Sequence, residues 1–444
     1  MFESFKLKTI KNDVEPIYSS SLHSTKHDEV VASVPMSASA TGLRDTLIVE
    51  LMLKHLYVEA SLSVRDLSTR CGLNWHVIEE IATALRDSNL VERKGNHQGE
   101  TQFNLTDKGR ALAAEYMKKC AYVGVAPVPI ELFRKVVSAQ SVFNVSITPE
   151  QVSRAYEDVV MTETMKDTLG AAVLSGTALM LFGRPGTGKS FIAQRIRRLL
   201  GGDIFVPHAI TVGGQIVQYF DPMFHVPCDE RDNANSLLLE EEFDPRFIKC
   251  QRPAIVTGGE LTLEMLDLEY DANANVYHAP TQLKANNGLF IVDDLGRQRV
   301  KAMDLLNRWI VPLEEKRDFM SVGSGNRFEV PTDFILIFST NIEPRELADD
   351  AFLRRLGYKL KFEAMEVEEY AKVWHMACEK HGVEYDSDVL LQVMEKLYLP
   401  EEMPLLPCHP RDLIGKVMDY CKYRGEKPHL TFERMEHAWR SYFA

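Results

Sequence analysis

Eight consecutive residues, Gly183-Arg184-Pro185-Gly186-Thr187-Gly188-Lys189-Ser190, leave this chain little freedom of architecture. They fit the pattern G-x-x-x-x-G-K-[ST], a loop whose backbone N–H groups wrap phosphate oxygens. The flanks suit it. Ala178 to Phe182 is a short apolar run that reads as a buried strand. Phe191 to Leu200 reads as a helix with Ile192, Ile196 and Leu199 or Leu200 on one face, stopped by Gly201-Gly202. A strand, a glycine loop and a helix N-terminus in that order aim amide donors and the positive end of the helix dipole at an anion. Gly183, Pro185, Gly186, Thr187 and Gly188 would shape the cradle. Lys189 would reach the outer phosphates, and the Ser190 hydroxyl would ligate magnesium.

Further along, Asn287 to Val292 is an apolar strand that ends in Asp293-Asp294. In a parallel sheet such a strand delivers its last residues to the crevice beside the phosphate loop. Asp293 would hold magnesium directly or through water, and Asp294 would polarise an attacking water. A third apolar run, Phe334 to Phe338, ends in Ser339-Thr340-Asn341, where the Asn341 amide is placed to orient water and phosphate. Asp349 to Leu356 carries the pair Arg354-Arg355 on a short helix before a strand at Tyr358 to Phe362. Cys408-His409-Pro410-Arg411-Asp412-Leu413 opens a helix in a C-terminal part that is helical from about Glu366.

These motifs, in this order over residues 150 to 440, resemble the AAA+ ATPases. The resemblance implies a P-loop α/β parallel sheet with a C-terminal helical lid. It implies ATP and Mg2+ as ligands, with Lys189 and Ser190 in Walker A and Asp293 with Asp294 in Walker B. Asn341 matches sensor 1, Arg354 or Arg355 the arginine finger that completes a neighbour's site, and Arg411 sensor 2 on the lid. It also implies a ring or helical homo-oligomer, six subunits being the expected number. Two departures stand out. The second Walker B carboxylate is usually Glu, and here it is the shorter Asp294, which argues for slower turnover. The stretch from Lys189 to Asp293 is longer than in compact members, which places an insert at about 208–283. That insert contains the acidic run Glu240-Glu241-Glu242 and is read either as structural elaboration or as a substrate-facing surface. A hairpin expected at Phe319 to Val330 resembles those of the MoxR-type, chaperone-like branch.

Ahead of this lies a second unit. Residues 1–40 read as a loose tail and 121–148, with Val125-Ala126-Pro127-Val128-Pro129, as a linker. Between them, 41–120 gives three helices, two strands (Leu90 to Lys94 and Thr101 to Leu105) and a last helix opening at Thr106. Ser63 and Asn74 stand as N-caps, and Gly72 as a helix stop. This α+β arrangement resembles a winged helix. Its third helix shows His76, Glu79 and Glu80 against one basic residue, Arg86. The whole chain carries a net charge of −13. Duplex DNA is therefore the less favoured partner and a protein client the favoured one. The nucleotide domain is expected at 149–363 and the lid at 364–444.

There is no apolar run long enough for a membrane span. Cysteines at 71, 120, 228, 250, 378, 408 and 421 show no C-x-x-C pair, which fits reduced thiols and a cytoplasmic location. His225, Cys228 and Cys250 lack a fourth zinc ligand and read as ordinary packing residues. The resulting expectation is an oligomeric ATP-hydrolysing machine that remodels a protein client. The alternatives are a DNA-bound ATPase (a regulator, mobile-element or defence factor) and a slow, nucleotide-switched structural oligomer.

Overall fold

The computed structural model describes residues 34–97, 100–228, 243–323 and 325–443. Most of the expected N-terminal tail and the acidic run Glu240-Glu241-Glu242 lie outside the described residues.

The N-terminal unit runs α1 (Asp45–Glu59), β1 (Ser61–Ser63), α2 (Val64–Cys71), α3 (Trp75–Asp87), β2 (Val91–His97), β3 (Glu100–Leu105) and α4 (Asp107–Lys119). Its three strands pair in the antiparallel order β1-β3-β2. Local chemistry sets the boundaries. Ser63 and Asp66 form a reciprocal capping box at the start of α2, and Asn74 Oδ1 accepts from the His76 amide at the start of α3.

Residues 121–148, expected as a linker, are structured: Tyr122 and Ala126 pack on the N-terminal unit, and Val128 onward belongs to the next one. Val128–Pro129 forms β4 and Ile130–Ala139 forms α5, whose Phe133, Val136 and Val137 are buried. The proline-flanked pair becomes a strand because β7 (Ala209–Val212) offers it a parallel partner far away in sequence. A helix at Pro149–Ala155 (α6) and another at Glu163–Ser175 (α7) then lead into the core.

The central sheet has the order β10-β13-β16-β5-β17, all neighbours parallel. Its strands are β5 (Ala178–Gly183), β10 (Ala254–Thr257), β13 (Gly288–Val292), β16 (Phe334–Thr340) and β17 (Leu356–Phe362). Alternation sends Leu179, Leu181, Leu289, Ile291, Ile335 and Ile337 to one face, against Ile192, Ile196 and Leu169. Met180, Phe290, Val292, Leu336 and Phe338 go to the other, against Leu305, Trp309 and Phe352. A sheet buried on both faces explains why these strands are uninterrupted apolar runs. The helix after the phosphate loop, α8, spans Lys189–Arg195 and tightens into a 3-10 turn at Ile196–Leu199, so it begins two residues earlier than the sequence pattern indicated.

The extra chain lies on both sides of β10. Before it come β6 (Asp203–Pro207) and β9 (Phe247–Gln251), which pair antiparallel, with β7 and β8 (Gln215–Gln218) between them. After it come β11 (Glu269–Asp271) and β12 (Val276–His278). A second sheet of order β11-β12-β8-β7-β4 results. The hairpin β14 (Arg317–Val322)–β15 (Asn326–Pro331) shares a core with that sheet and α5 through Met320, Val322, Val330 and Phe133. The N-terminal unit sits on this inserted layer. Arg246, fully buried and paired with Asp244 at 2.7 Å, donates to the Thr41 carbonyl at 2.8 Å. The amides of Ala121 and Ala126 donate to the carbonyls of Ala274 and Cys71, each at 2.7 Å.

The C-terminal helices are α12 (Val367–His381), α13 (Ser387–Val393), α14 (Cys408–Arg424) and α15 (Phe432–Tyr442), packed around Tyr370, Trp374, Leu413 and Trp439. Among the described residues no helix is long and apolar enough to cross a membrane.

Candidate functional site

Three parallel neighbours end side by side. Phe182 is level with Thr340, and Phe338 with Val292, so the phosphate loop, Asn341 and Asp293 leave the sheet at one edge. That is the edge where α/β sheets hold ligands.

Lys189 is buried, and its Nζ donates to the carbonyls of Gly183 at 2.9 Å and Arg184 at 2.8 Å and to Asn341 Oδ1 at 2.8 Å. Burial lowers its pKa, while the charges of Asp294 and Asp293 oppose the shift. Asn341 in turn donates through Nδ2 to Asp294 Oδ1 at 3.3 Å. Its orientation is thus fixed by a cation on one side and a carboxylate on the other. Ser190 Oγ donates to Asp293 Oδ1 at 2.8 Å, and the same oxygen accepts from the Asp294 amide at 3.1 Å. Asp294 adopts a left-handed backbone (φ 51°), a region that Asp tolerates better than most residues. The serine hydroxyl and the carboxylate that a magnesium ion would need are therefore adjacent.

The loop itself is open where a phosphate would enter. A Cβ added at Gly188 would meet nothing within 4 Å, whereas one at Gly186 would lie 2.6 Å from Cys408 Sγ. Gly186 also has φ of +80°, so both backbone angle and space demand glycine there. Thr187, buried, ties the loop down by donating to the Arg184 carbonyl at 2.8 Å. Arg184 and Pro185 are exposed at its tip.

The remaining candidates stand outside this hydrogen-bonded group. Arg355 is held by Glu314 Oε1 at 2.6 Å and the Ala351 carbonyl at 2.8 Å. Arg354 is exposed at the end of the short helix α11 (Asp350–Leu353); its amide donates to the Asp350 carbonyl at 3.1 Å, and its side chain makes no hydrogen bond or ion pair among the described residues. Arg411 lies in the first turn of α14 and pairs with its neighbour Asp412 at 2.8 Å, which raises its pKa. Its helix nonetheless begins against the loop, since Leu406 and Cys408 flank Gly186.

One organising residue carries no signature in the sequence. Gln298, buried, accepts from the Gly296 amide at 2.8 Å. It donates to the carbonyls of Gly258 at 3.1 Å, Asp293 at 3.3 Å and Asp294 at 3.4 Å, and so ties down the turn after the acidic strand. A lone glutamine past an Asp-Asp pair matches no motif, so nothing in the sequence marks it.

His225 is wedged beside Tyr219 and Phe220, bonded to the Lys284 carbonyl at 2.9 Å and the Asp221 amide at 3.0 Å. Among the described residues no group of His, Cys, Asp and Glu could hold a metal ion as a ligand cluster.

Comparison with known proteins gives matches over parts of the chain. Residues 155–205 match the family described as magnesium chelatase, subunit ChlI. Residues 366–441 match a domain of unknown function, DUF8689. Among solved structures, the Thermotoga maritima RuvB Holliday junction branch migration motor is 14% identical, covering 66% of this chain and 70% of that one, with a TM-score of 0.33. A point mutant of the same protein is also 14% identical, covering 68% and 72%, with a TM-score of 0.35.

Proposed function

We propose that this chain is an AAA+ protein, a reading supported by its parallel sheet and the layout of its phosphate-loop edge, and that it binds ATP with magnesium and hydrolyses it to drive rearrangement of a protein client. The observation that carries the reading is the bonded group Ser190–Asp293 and Lys189–Asn341–Asp294 at the carboxyl edge of the parallel sheet. These residues fit the ligand. Two oxygens for the cation lie together, an ammonium stands behind the loop, and the space over Gly188 is open. Magnesium held by Ser190 and Asp293 would offset charge on the phosphate oxygens.

Lys189 would exchange its loop carbonyls for phosphate oxygens while keeping Asn341. Asn341 would then hold a water between itself and Asp294, which accepts its proton. Arg354, whose side chain has no partner among the described residues, would reach a neighbouring subunit's site in an oligomer, while Arg411 would answer to nucleotide from the lid. The N-terminal unit, read as a winged-helix-like module, would be the adaptor that presents the client. Calorimetric titration of ATP tests the core of this reading. Lys189→Ala should abolish binding, and retained tight binding overturns it. Mixing Arg354→Ala subunits with Asp293→Ala subunits should restore some hydrolysis. No recovery in co-assembled oligomers removes the trans role.

A slow, switch-like turnover is a second reading, favoured by the short side chain of Asp294 and its tie to Asn341. Hydrolysis unchanged in Asp294→Asn would take Asp294 out of the chemistry altogether.

A further inference from the structure

We infer that the N-terminal unit carries a binding groove for an acidic peptide segment of a partner protein, with an apolar side chain anchored on Trp75. A cavity of about 440 Å3 opens between α2, α3 and the β2–β3 strands. Three arginines line it, Arg65 from α2, Arg86 from α3 and Arg93 from β2, together with Trp75, Phe103 and, as the one carboxylate among the described residues, Glu79. In a chain with a net charge of −13 this is a local inversion of sign. Arg86 is exposed and pairs with its neighbour Asp87 at 3.4 Å, a contact weak enough to be exchanged for a better carboxylate. Trp75 is 50% exposed at the first position of α3. A large indole left half in water in a cavity lined by three arginines is the composition of a recognition hot spot. Arginine forks match carboxylates in pairs.

The groove favours a peptide over duplex DNA. Its cations converge on one cavity and do not run along a surface, and the exposed face of α3 beside it presents Glu79, Glu80 and Asp87. Those carboxylates would oppose a phosphate backbone in a major groove. Of these carboxylates only Glu79 lines the groove itself, and a short acidic strand can turn its charges away from it toward Arg65, Arg86 and Arg93.

The chain contains its own reporter. Its other tryptophans, Trp309, Trp374 and Trp439, are at most 3% exposed, so acrylamide quenching of the full-length protein reads Trp75 selectively. The experiment titrates a short alternating glutamate–phenylalanine peptide, its glutamine–phenylalanine counterpart and a short DNA duplex, without nucleotide. The acidic peptide should shield Trp75 in a salt-sensitive way. Affinity should fall at least about tenfold in Arg86→Glu/Arg93→Glu, substitutions at exposed positions that leave the core intact. Equal shielding by the two peptides, shielding by the duplex alone, or none by any probe each overturns the assignment. Those failures leave the nucleotide reading standing, because ATP binding at Lys189 is measured separately.

Discussion

Asn341 stands between a buried ammonium and a carboxylate, and each of its two amide atoms has one role there. Asn341→Asp would place a second negative charge against Asp294. It should lower turnover by at least tenfold while ATP affinity falls much less, which separate measurement of kcat and KM would show. Gln298 acts one step further out. Replacing it by Ala strips the Gly296 amide and three carbonyls of a buried partner, at a cost of about 1–3 kcal/mol. The expected result is a lower Tm with a disproportionate loss of kcat, because the turn it secures carries Asp294. At His225 the effect is on stability. Burial pushes its pKa from 6.5 down to about 4, against weaker opposing effects of the Lys284 carbonyl and Asp221. A base whose pKa falls on folding contributes stability that is complete above the unfolded value. It is lost as the pH drops from about 6.5 towards 4, to the extent of roughly 3 kcal/mol. Denaturant titrations across that range should show the slope, and His225→Asn should flatten it.

At the level of elements, a buried polar node joins α5 to the starts of β13 and β16. Gln140 donates to Asn287 Oδ1 at 2.8 Å, and Asn287 donates to Asp333 Oδ1 at 3.1 Å and to the Val137 carbonyl at 2.9 Å. Arg252 donates to the carbonyls of Gln140 at 2.9 Å and Asn287 at 2.7 Å. Asn287 also holds a left-handed backbone (φ 62°). Asn287→Leu should therefore destabilise by more than about 3 kcal/mol, read as a large drop in Tm, through both strain and orphaned partners. None of this was legible in the sequence, and the contrast with the core strands shows why. β5, β13 and β16 are buried on both faces, so their apolar runs announce them, and the acidic and amide residues at their ends follow from position. β4 is a two-residue strand in a proline-rich stretch. Only its pairing with β7 makes it a strand, and local pattern points the other way. The choice between Arg354 and Arg355 likewise rests on Glu314, a distant residue that no motif connects to them. Gly186 was recognisable as a loop glycine, but its contact with Cys408 joins two ends of the nucleotide region that only tertiary structure brings together.

For the whole molecule, the N-terminal unit rests on inserted chain and touches the nucleotide layer through it. The buried Asp244–Arg246 pair is the sharpest point of that junction. Arg246→Ala leaves Asp244 buried without its partner, a loss of about 3–5 kcal/mol. Limited proteolysis should then cut between the N-terminal unit and the rest while Lys189-dependent ATP binding survives. The geometry of the insertion bears on how such a chain folds at all. Asp203 is hydrogen-bonded in register with Gln251, immediately outside the two points where the chain departs from the core and comes back. The two ends of the segment 204–250 are thereby drawn together like the neck of a purse bag, while β7 and β8 within it pair with β4 and β12 outside. The core sees only a short return between its phosphate-loop helix and β10. The entropy of closing that loop is met once, at the neck, and grows only slowly with whatever length lies beyond it. Substitutions that open the neck should slow assembly of the parallel sheet, whereas changes in the contents of the bag should leave its rate almost untouched.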